Sequence, residues 1–426
     1  MKKRTNIIQL VLVIAIALLV GYFIGINKIN IDWKNYHPVL NVVNKEPPPG
    51  IITVDFNPFW NVWDKLVTNY YDKSKLDQTK MLNGAITGMV QALGDPFTMY
   101  LPPVQNTDFK QGLAGQFSGI GAELGTSGKN IIVIAPLDGS PAEKAGIKAG
   151  DIILNVDGQP VMGIDISTVV NKIRGSKGTT VKLTIQHKDS SSTQDVTIIR
   201  DVITVKSVSG SIKYADCKNG SCTLADSQSK TAVKFAYIRL SQFGDNTNTD
   251  WAAVAKNISS QIQAESSIKG VVLDLRNNPG GYLTDAQFIA GEFLPVGQTV
   301  VWEDDGTVNR KSLNVDRTGL LTNTDIKLVI LINKGSASAS EIVAGAMRDN
   351  KRAILVGETS YGKGTIQAAE DLGDGAGLHV TIAKWLTPNG TWVNGKGLTP
   401  DVSVNLDAKD PSRDTQLESA VSQLLK

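Results

Sequence analysis

Two short segments of this sequence combine residue types that can do covalent chemistry. The first, Asn333-Lys334-Gly335-Ser336-Ala337-Ser338-Ala339-Ser340-Glu341, follows an apolar run and leads into a helical pattern. A hydroxyl at a helix start feels the positive end of the helix dipole, and the unpaired N–H groups there can hold an oxyanion. The small neighbours leave room for a substrate backbone. Ser336, Ser338 and Ser340 all remain open to the nucleophile's role, and any of them can equally be a plain helix cap. Ser338, with Glu341 three residues on, has the form of a capping box. The second segment, Gly357 to Gln367, sets Lys363 between Gly362 and Gly364. A lysine is a poor base at its ordinary pKa of ~10.4, but burial disfavours the charged form and lowers that value. The neutral amine can then take a serine's proton. If residues 363–367 are extended, Lys363, Thr365 and Gln367 share one face, where Gln367 can accept from the amine and orient it. The plain alternative is a solvated turn lysine.

Composition narrows the chemistry. The 426 residues carry 43 Lys+Arg against 41 Asp+Glu, a net charge of +2, with three His and two Cys. That balance argues against a nucleic-acid footprint, which needs a basic face. Two Cys and no HExxH pattern give no zinc site, so neither a metal nor another cofactor is expected. A histidine base has few candidates. His37 falls in an N-terminal linker, His187 at a strand end, and His379 in the strand-like Gly377–Thr381, where a packed or surface role is the ordinary one.

The elements that must position these groups follow from the hydrophobic pattern. Lys2-Lys3-Arg4 precede an apolar run from Ile7 to Ile26. Twenty helical residues span ~30 Å, the thickness of a bilayer core. Residues 1–6 are therefore expected to be cytoplasmic and 7–26 a membrane anchor, with the body of the chain on the far side. Cleavage after Ala15-Ile16-Ala17 is the competing reading, which would leave an apolar stub. Residues 27–55, with Pro47-Pro48-Pro49-Gly50, read as a linker. Residues 56–111 carry helical stripes, including Phe59, Trp60, Trp63, Leu66, Val67 and Tyr70. Residues 112–200 turn to short strands and glycine turns. Residues 201–405 alternate strand and helix, as α/β layering requires. Residues 406–426 end in a helix, Asp414–Leu425, suited to pack on its own core or on another subunit. A local insertion at about 214–229 holds Cys217 and Cys222 around Asn219-Gly220, a hairpin turn that a disulfide would clip. Two free thiols are the alternative.

The run from Gly119 through Ser140-Pro141-Ala142-Glu143-Lys144-Ala145-Gly146 to Asp157-Gly158 resembles a PDZ domain of bacterial proteases. That resemblance implies a peptide added as a strand, its terminal carboxylate received at Ser118, Gly119, Ile120 and Gly121. Ser336–Glu341 and Tyr361–Gln367, together with Leu273–Gly281, Gly94–Thr98 and Gly397–Asp401, resemble motifs of the C-terminal processing peptidases, or tail-specific proteases. The resemblance implies a multi-domain α/β fold: a crotonase-like protease core, an inserted β-rich PDZ domain and an N-terminal helical segment, behind one transmembrane helix. It implies Ser338 as nucleophile, Lys363 as base at the family's 25-residue spacing, and Gln367 as the group that orients the amine. Ala339 supplies one oxyanion N–H, and Gly280, in preference to Gly281, the other. Asp349 matches a supporting aspartate, and Arg174 an arginine that couples the PDZ domain to the core. The implied partners are exported proteins with apolar C-termini, the membrane, and a second copy of the chain. The rival is a catalytically inactive PDZ scaffold that binds tails at the membrane.

Overall fold

The computed structural model describes residues 12–19, 22, 29–34, 37–42, 54–137, 139–188, 190, 192–225, 232–307, 310–323, 325–407, 410 and 413–426. The chain divides into two compact units, residues 1–81 and 82–426. In the first unit, residues 12–19 are helical. Among the described residues no helix is long and apolar enough to cross a membrane, and residues 1–6 with much of the expected anchor lie outside them. Strands β1 (Ile29–Lys34) and β2 (His37–Val42) pair antiparallel, so the stretch expected to be a linker carries a hairpin. Helix α1 (Asn57–Asn69) gathers Phe59, Trp60 and Trp63, with ring centroids 4.9 and 6.2 Å from Phe59.

Helix α2 (Gln78–Gln91) carries the chain into the second unit, where β3 (Met99–Leu101) and helix α3 (Pro103–Leu113) follow. Strand β4 (Gln116–Gly119) pairs with β11 (Asp201–Thr204), an antiparallel ribbon formed by the chain entering and leaving the next domain. Between them lie β5 (Ala122–Ser127), β6 (Asn130–Pro136), α4 (Pro141–Lys144), β7 (Ile152–Val156), β8 (Gln159–Pro160), α5 (Ile166–Ile173), β9 (Thr180–Gln186) and β10 (Thr193–Ile199). Their sheet runs β10-β9-β7-β6-β5, with β8 beside β7, over a core that includes Ile131, Ile153, Leu183 and Ile185. Strand β5 ends the order, and an end strand leaves one edge of its N–H and C=O groups for a peptide to pair with. Buried Arg200 closes this domain; it donates to the carbonyls of Ile173 (2.7 Å) and Thr180 (2.7 Å).

The remaining chain builds a layered core. Strands β12 (Val208–Lys218), β13 (Ser221–Ala225), β14 (Val233–Leu240), β15 (Ile268–Asp274), β18 (Lys327–Ile332), β19 (Ile354–Gly357) and β22 (Val402–Ser403) form one sheet, in the order β13-β12-β14-β15-β18-β19-β22. From β14 to β22 every pairing is parallel. Parallel neighbours need crossovers. Helices α6 (Thr247–Ala264), α7 (Leu283–Phe293) and α8 (Ala339–Asp349) lie in the first three, and two strands of a second sheet lie in the last, from β19 to β22. The near-continuous apolar strands are explained by cover on both faces. Leu328, Ile330 and Ile332 pack with these helices, while Val329 and Leu331 face helix α9 (Thr415–Leu424). The C-terminal helix therefore packs on its own chain. Arg276 fastens it, with Nη2 2.6 Å from Asp274 Oδ2 and 2.8 Å from Asp414 Oδ2.

A second sheet, β17 (Lys311–Asn314), β16 (Thr299–Asp304), β21 (Gly377–Leu386) and β20 (Thr365–Asp371), with β3 beside β21, stands apart from the first. The β12–β13 hairpin turns at Asn219 and Gly220, both at positive φ (54° and 80°), which those two residues tolerate best. Cys217 and Cys222 face each other across it and are disulfide-bonded. Residues 226–229 of the expected insertion lie outside the described residues.

Candidate active site

The two turns of the first sheet that the sequence marked as chemical are stitched together. After β15, Asn277 and Asn333 exchange hydrogen bonds, N to Oδ1 and Nδ2 to Oδ1, both 2.8 Å. Ala337 N–H donates to the Asn278 carbonyl at 3.0 Å. This geometry distinguishes the three serines. Ser336 is fully buried and gives its hydroxyl proton to the Leu275 carbonyl (2.8 Å). Ser340, also fully buried, gives its proton to the Asn278 carbonyl (2.9 Å). Ser338 stands at the head of α8 and lines a cavity of about 450 Å³. Its backbone is at φ 54°, ψ −116°, a sparsely populated region for any side chain but glycine. A sharp turn of this kind between strand and helix lifts a nucleophile out of the chain's own packing.

Lys363 lines the same cavity, together with Ala339, Gly280, Gly281, Thr365 and Gln367. Apolar side chains from Phe109, Leu113, Ile342, Ile366 and Trp385 complete the wall. The lysine loop is rigidly tied. Its carbonyl accepts from Trp385 Nε1 (2.9 Å), and Gly364 receives Trp392 Nε1 on its carbonyl at 2.9 Å. Any side chain at Gly364 would meet that indole at 2.7 Å, so glycine is required there. Lys363 Nζ makes no hydrogen bond or ion pair among the described residues, and lies 5.2 Å from the Phe97 ring centroid. Burial holds its pKa below the ordinary lysine value, while the charges of Asp95 and Glu341 push the other way.

Glu341, read from sequence as half of a capping box, does more than cap. Fully buried, it accepts from Ser338 N (2.8 Å) and Lys363 N (2.9 Å) on one oxygen, and from Gly362 N (2.7 Å) and Ser360 Oγ (2.5 Å) on the other. One carboxylate thus joins the serine turn to the lysine loop across 25 residues. No local pattern signals that bridge.

Of the N–H groups expected to hold an oxyanion, one is already engaged. A Cβ on Gly280 would lie 2.8 Å from Ser338 Cβ and 2.9 Å from Ala339 N, so the glycine turn lies directly against the serine turn. Gly280 N–H, however, is already bonded to Asn278 Oδ1 at 2.9 Å. Among the described residues the N–H groups of Gly281 and Ala339 donate to no protein acceptor. Gly281, at φ 142°, has no room for a side chain: its Cβ would fall 1.7 Å from the Phe243 carbonyl.

Gln367 reaches the cavity, but its amide donates to Thr365 Oγ1 (2.8 Å) and Thr381 Oγ1 (3.1 Å) rather than contacting Lys363. The single-face alternation expected for 363–367 is broken, because Lys363 precedes β20 and a register shift falls between Ile366 and Gln367. Asp349 lies at the far end of α8 and is absent from the cavity wall. It accepts from Asn389 N (3.0 Å) and Arg348 Nε (3.2 Å), bracing the helix end. His379 is in the cavity wall, edge-on to Phe109 with centroids 4.6 Å apart, and burial and Lys363 lower its pKa. In the PDZ-like domain, Ile120 and Gly121 carry N–H groups that bond no protein acceptor among the described residues. Ser118 and Gly119 are paired into the β4–β11 ribbon. Arg174 is exposed beside them, 5.2 Å from the Phe117 ring centroid, and makes no ion pair with the core among the described residues.

Comparison with known proteins agrees with this architecture. Residues 234–404 match Peptidase family S41, residues 132–187 a PDZ domain, and residues 43–103 the activating protease CtpB N-terminal domain. The chain therefore belongs to peptidase family S41, and it is a serine-type C-terminal processing peptidase with a PDZ domain. It is 37% identical over 366 residues to a probable CtpA-like serine protease of Staphylococcus epidermidis, covering 85% of this chain and 67% of the relative. A counterpart in Staphylococcus aureus is 37% identical over 352 residues, covering 82% and 65%. Among solved structures, a photosystem II D1 C-terminal processing protease is 31% identical with a TM-score of 0.51, covering 86% of this chain and 95% of that one. A putative S41 protease from Bacteroides fragilis, 15% identical with a TM-score of 0.55 over 89% and 97% of the chains, shares the fold.

Proposed function

We propose that this chain is a membrane-anchored serine endopeptidase that takes apolar C-terminal tails of exported proteins through its PDZ domain and cleaves them with a Ser338–Lys363 dyad. The dyad reading is carried by one observation: of three neighbouring serines, two are buried and bonded to carbonyls, and the third lines the cavity that also receives an unbonded lysine. Neutral Lys363 takes the Ser338 Oγ proton as that oxygen attacks the substrate carbonyl carbon. The N–H groups of Ala339 and Gly281, with Gly280 packing the turn, receive the developing oxyanion. The lysine returns its proton to the leaving amine. Water, deprotonated by Lys363, then opens the acyl-serine ester and restores the hydroxyl.

The open edge of β5, beside α5, supports strand addition by a tail whose carboxylate meets the N–H groups of Ile120 and Gly121. The apolar run of residues 7–26 supports the anchor, and the Cys217–Cys222 disulfide supports an oxidising, extracytoplasmic compartment. The test is digestion of one reporter protein with and without an apolar C-terminal tail. Wild type should cleave the tailed form in preference. Ser338→Ala and Lys363→Ala should bind it without turnover, and continued turnover in either variant overturns the dyad. An inert scaffold would bind tails with no cleavage in wild type, a reading that family membership and the intact site do not favour.

A further inference from the structure

The turn Gly94–Thr98, in sequence only one phrase of a resemblance, lies against the lysine. The Phe97 ring faces Lys363 Nζ, and the charge of Asp95, two residues before it, acts on that amine. Asp95 accepts from Phe97 N (3.0 Å) and Thr98 Oγ1 (2.7 Å). Thr98 in turn accepts from Thr381 N at 3.1 Å, which locks the turn to β21. Burial pushes the Asp95 carboxyl up, but the hydroxyls of Thr381 and Thr98 and the Phe97 N–H draw it below its ordinary value.

A threonine hydroxyl has one proton. Thr98 gives that proton to Asp95, so its oxygen is left to accept Thr381 N and fix that residue, and Thr381 Oγ1 accepts from Gln367, whose Nε2 lies 3.1 Å away. Thr365 Oγ1 takes the other N–H of the same amide at 2.8 Å. The carboxamide is therefore held by its nitrogen, and its oxygen is the atom left without a protein donor among the described residues. The fixed charges facing Lys363 are Asp95 from the turn after α2 and Glu341 from α8; from β21 it is faced by the titratable His379.

We propose that Asp95 is a positioning residue for the lysine base. It is the through-space counter-charge of Lys363, and through Thr98 and Thr381 it holds Gln367 with its carbonyl oxygen open to the amine. This rests on the dyad reading and names what sets the base's protonation and orientation.

The experiment measures kcat and kcat/KM against pH for wild type, Asp95→Asn, Thr381→Val and Thr381→Ser on the tailed reporter, with Ser338→Ala and Lys363→Ala alongside. The active amine is neutral, so the rate rises with pH through the lysine's titration. Removing the Asp95 charge should move that limb to lower pH by roughly 0.5–2 units, the scale of one screened charge beyond contact. An asparagine can also offer its NH₂ to Thr98, which displaces the Thr98 proton from that bond and loosens its hold on Thr381 and Gln367. The kcat of Asp95→Asn should accordingly fall by about tenfold, within the ~10²–10⁴-fold that a positioned base supplies. Thr381→Val should lose rate without moving the limb as far, and Thr381→Ser should recover that loss. An unmoved limb in Asp95→Asn overturns the proposal, whether the rate is unchanged or falls with thermal stability as a purely structural role requires. Turnover in Ser338→Ala or Lys363→Ala would instead sink the dyad beneath it.

Discussion

Replacing Glu341 by glutamine tests how the two halves of the site are joined. The wild-type carboxylate receives four donors, two on each oxygen, in a fully buried position. Glutamine keeps one oxygen and turns the other into an NH₂ facing two donors. If the NH₂ replaces the oxygen toward Ser338 N and Lys363 N, two hydrogen bonds to a charged group vanish and the donors confront each other. If it replaces the other, Gly362 N is stranded, and Ser360 Oγ, which already accepts from Leu398 N at 2.6 Å, can take the NH₂ on its second lone pair only by turning its own proton away from its present acceptor. At about 1.5–3 kcal/mol for each bond to a charged group, the loss is about 3–6 kcal/mol, a large share of a typical total of ~5–15 kcal/mol. The loss can be spread over the fold or taken locally by parting the serine turn from the lysine loop, and either abolishes a preorganised site. Urea unfolding and kcat/KM on the tailed reporter read the two routes separately. A Glu341→Gln protein with stability within ~0.5 kcal/mol of wild type and undiminished kcat would refute the bridging role.

Three further outcomes follow from the same geometry. Ser336→Ala and Ser340→Ala should each lower stability by about 1–3 kcal/mol, by leaving buried partners unpaired, yet retain a nucleophile; denaturation with active-site labelling of Ser338 checks both. Gly281→Ala should prevent the turn from closing, since its Cβ would meet the Phe243 carbonyl at 1.7 Å; any folded fraction should show kcat reduced by about 10²–10³, the worth of one oxyanion donor. Asp285, on α7, is pushed up to about 6 by burial and by Asp245, against a hydrogen bond from Asn248. Its Oδ2 and Asn248 Oδ1 are the buried side-chain atoms without partners among the described residues. A carboxyl whose folded pKa is raised stabilises the fold most below its ordinary range and loses that contribution as pH rises through about 6. Asp285→Asn, neutral throughout, should flatten that fall in Tm between the acidic and neutral ends of a pH series; an unchanged slope would count against a raised pKa.

Much of the site was legible because its signals are local. The strand–helix alternation of residues 201–405 could be read, as in β18 (Lys327–Ile332) and α7 (Leu283–Phe293), since period and turn residues act over a few positions. Asn219-Gly220 announced its hairpin for the same reason. The serine segment, the glycine-flanked lysine and the glycine pair after β15 could each be recognised as chemical. The second sheet was mostly missed: its β16–β17 and β20–β21 pairings are local hairpins, but the β16–β21 pairing that joins them into one sheet links distant segments. Residue types and short spacings therefore named the groups, the PDZ-like module and the family. Tertiary packing decided which serine is free, because Leu275 and Asn278, some sixty residues upstream, occupy the other two hydroxyls. It also committed Gly280 N–H to Asn278, moved Asp349 to the far end of its helix, and turned Gln367 toward Thr381 through a register shift. These outcomes depend on which distant carbonyl or hydroxyl arrives within hydrogen-bond range, and only the folded register sets that.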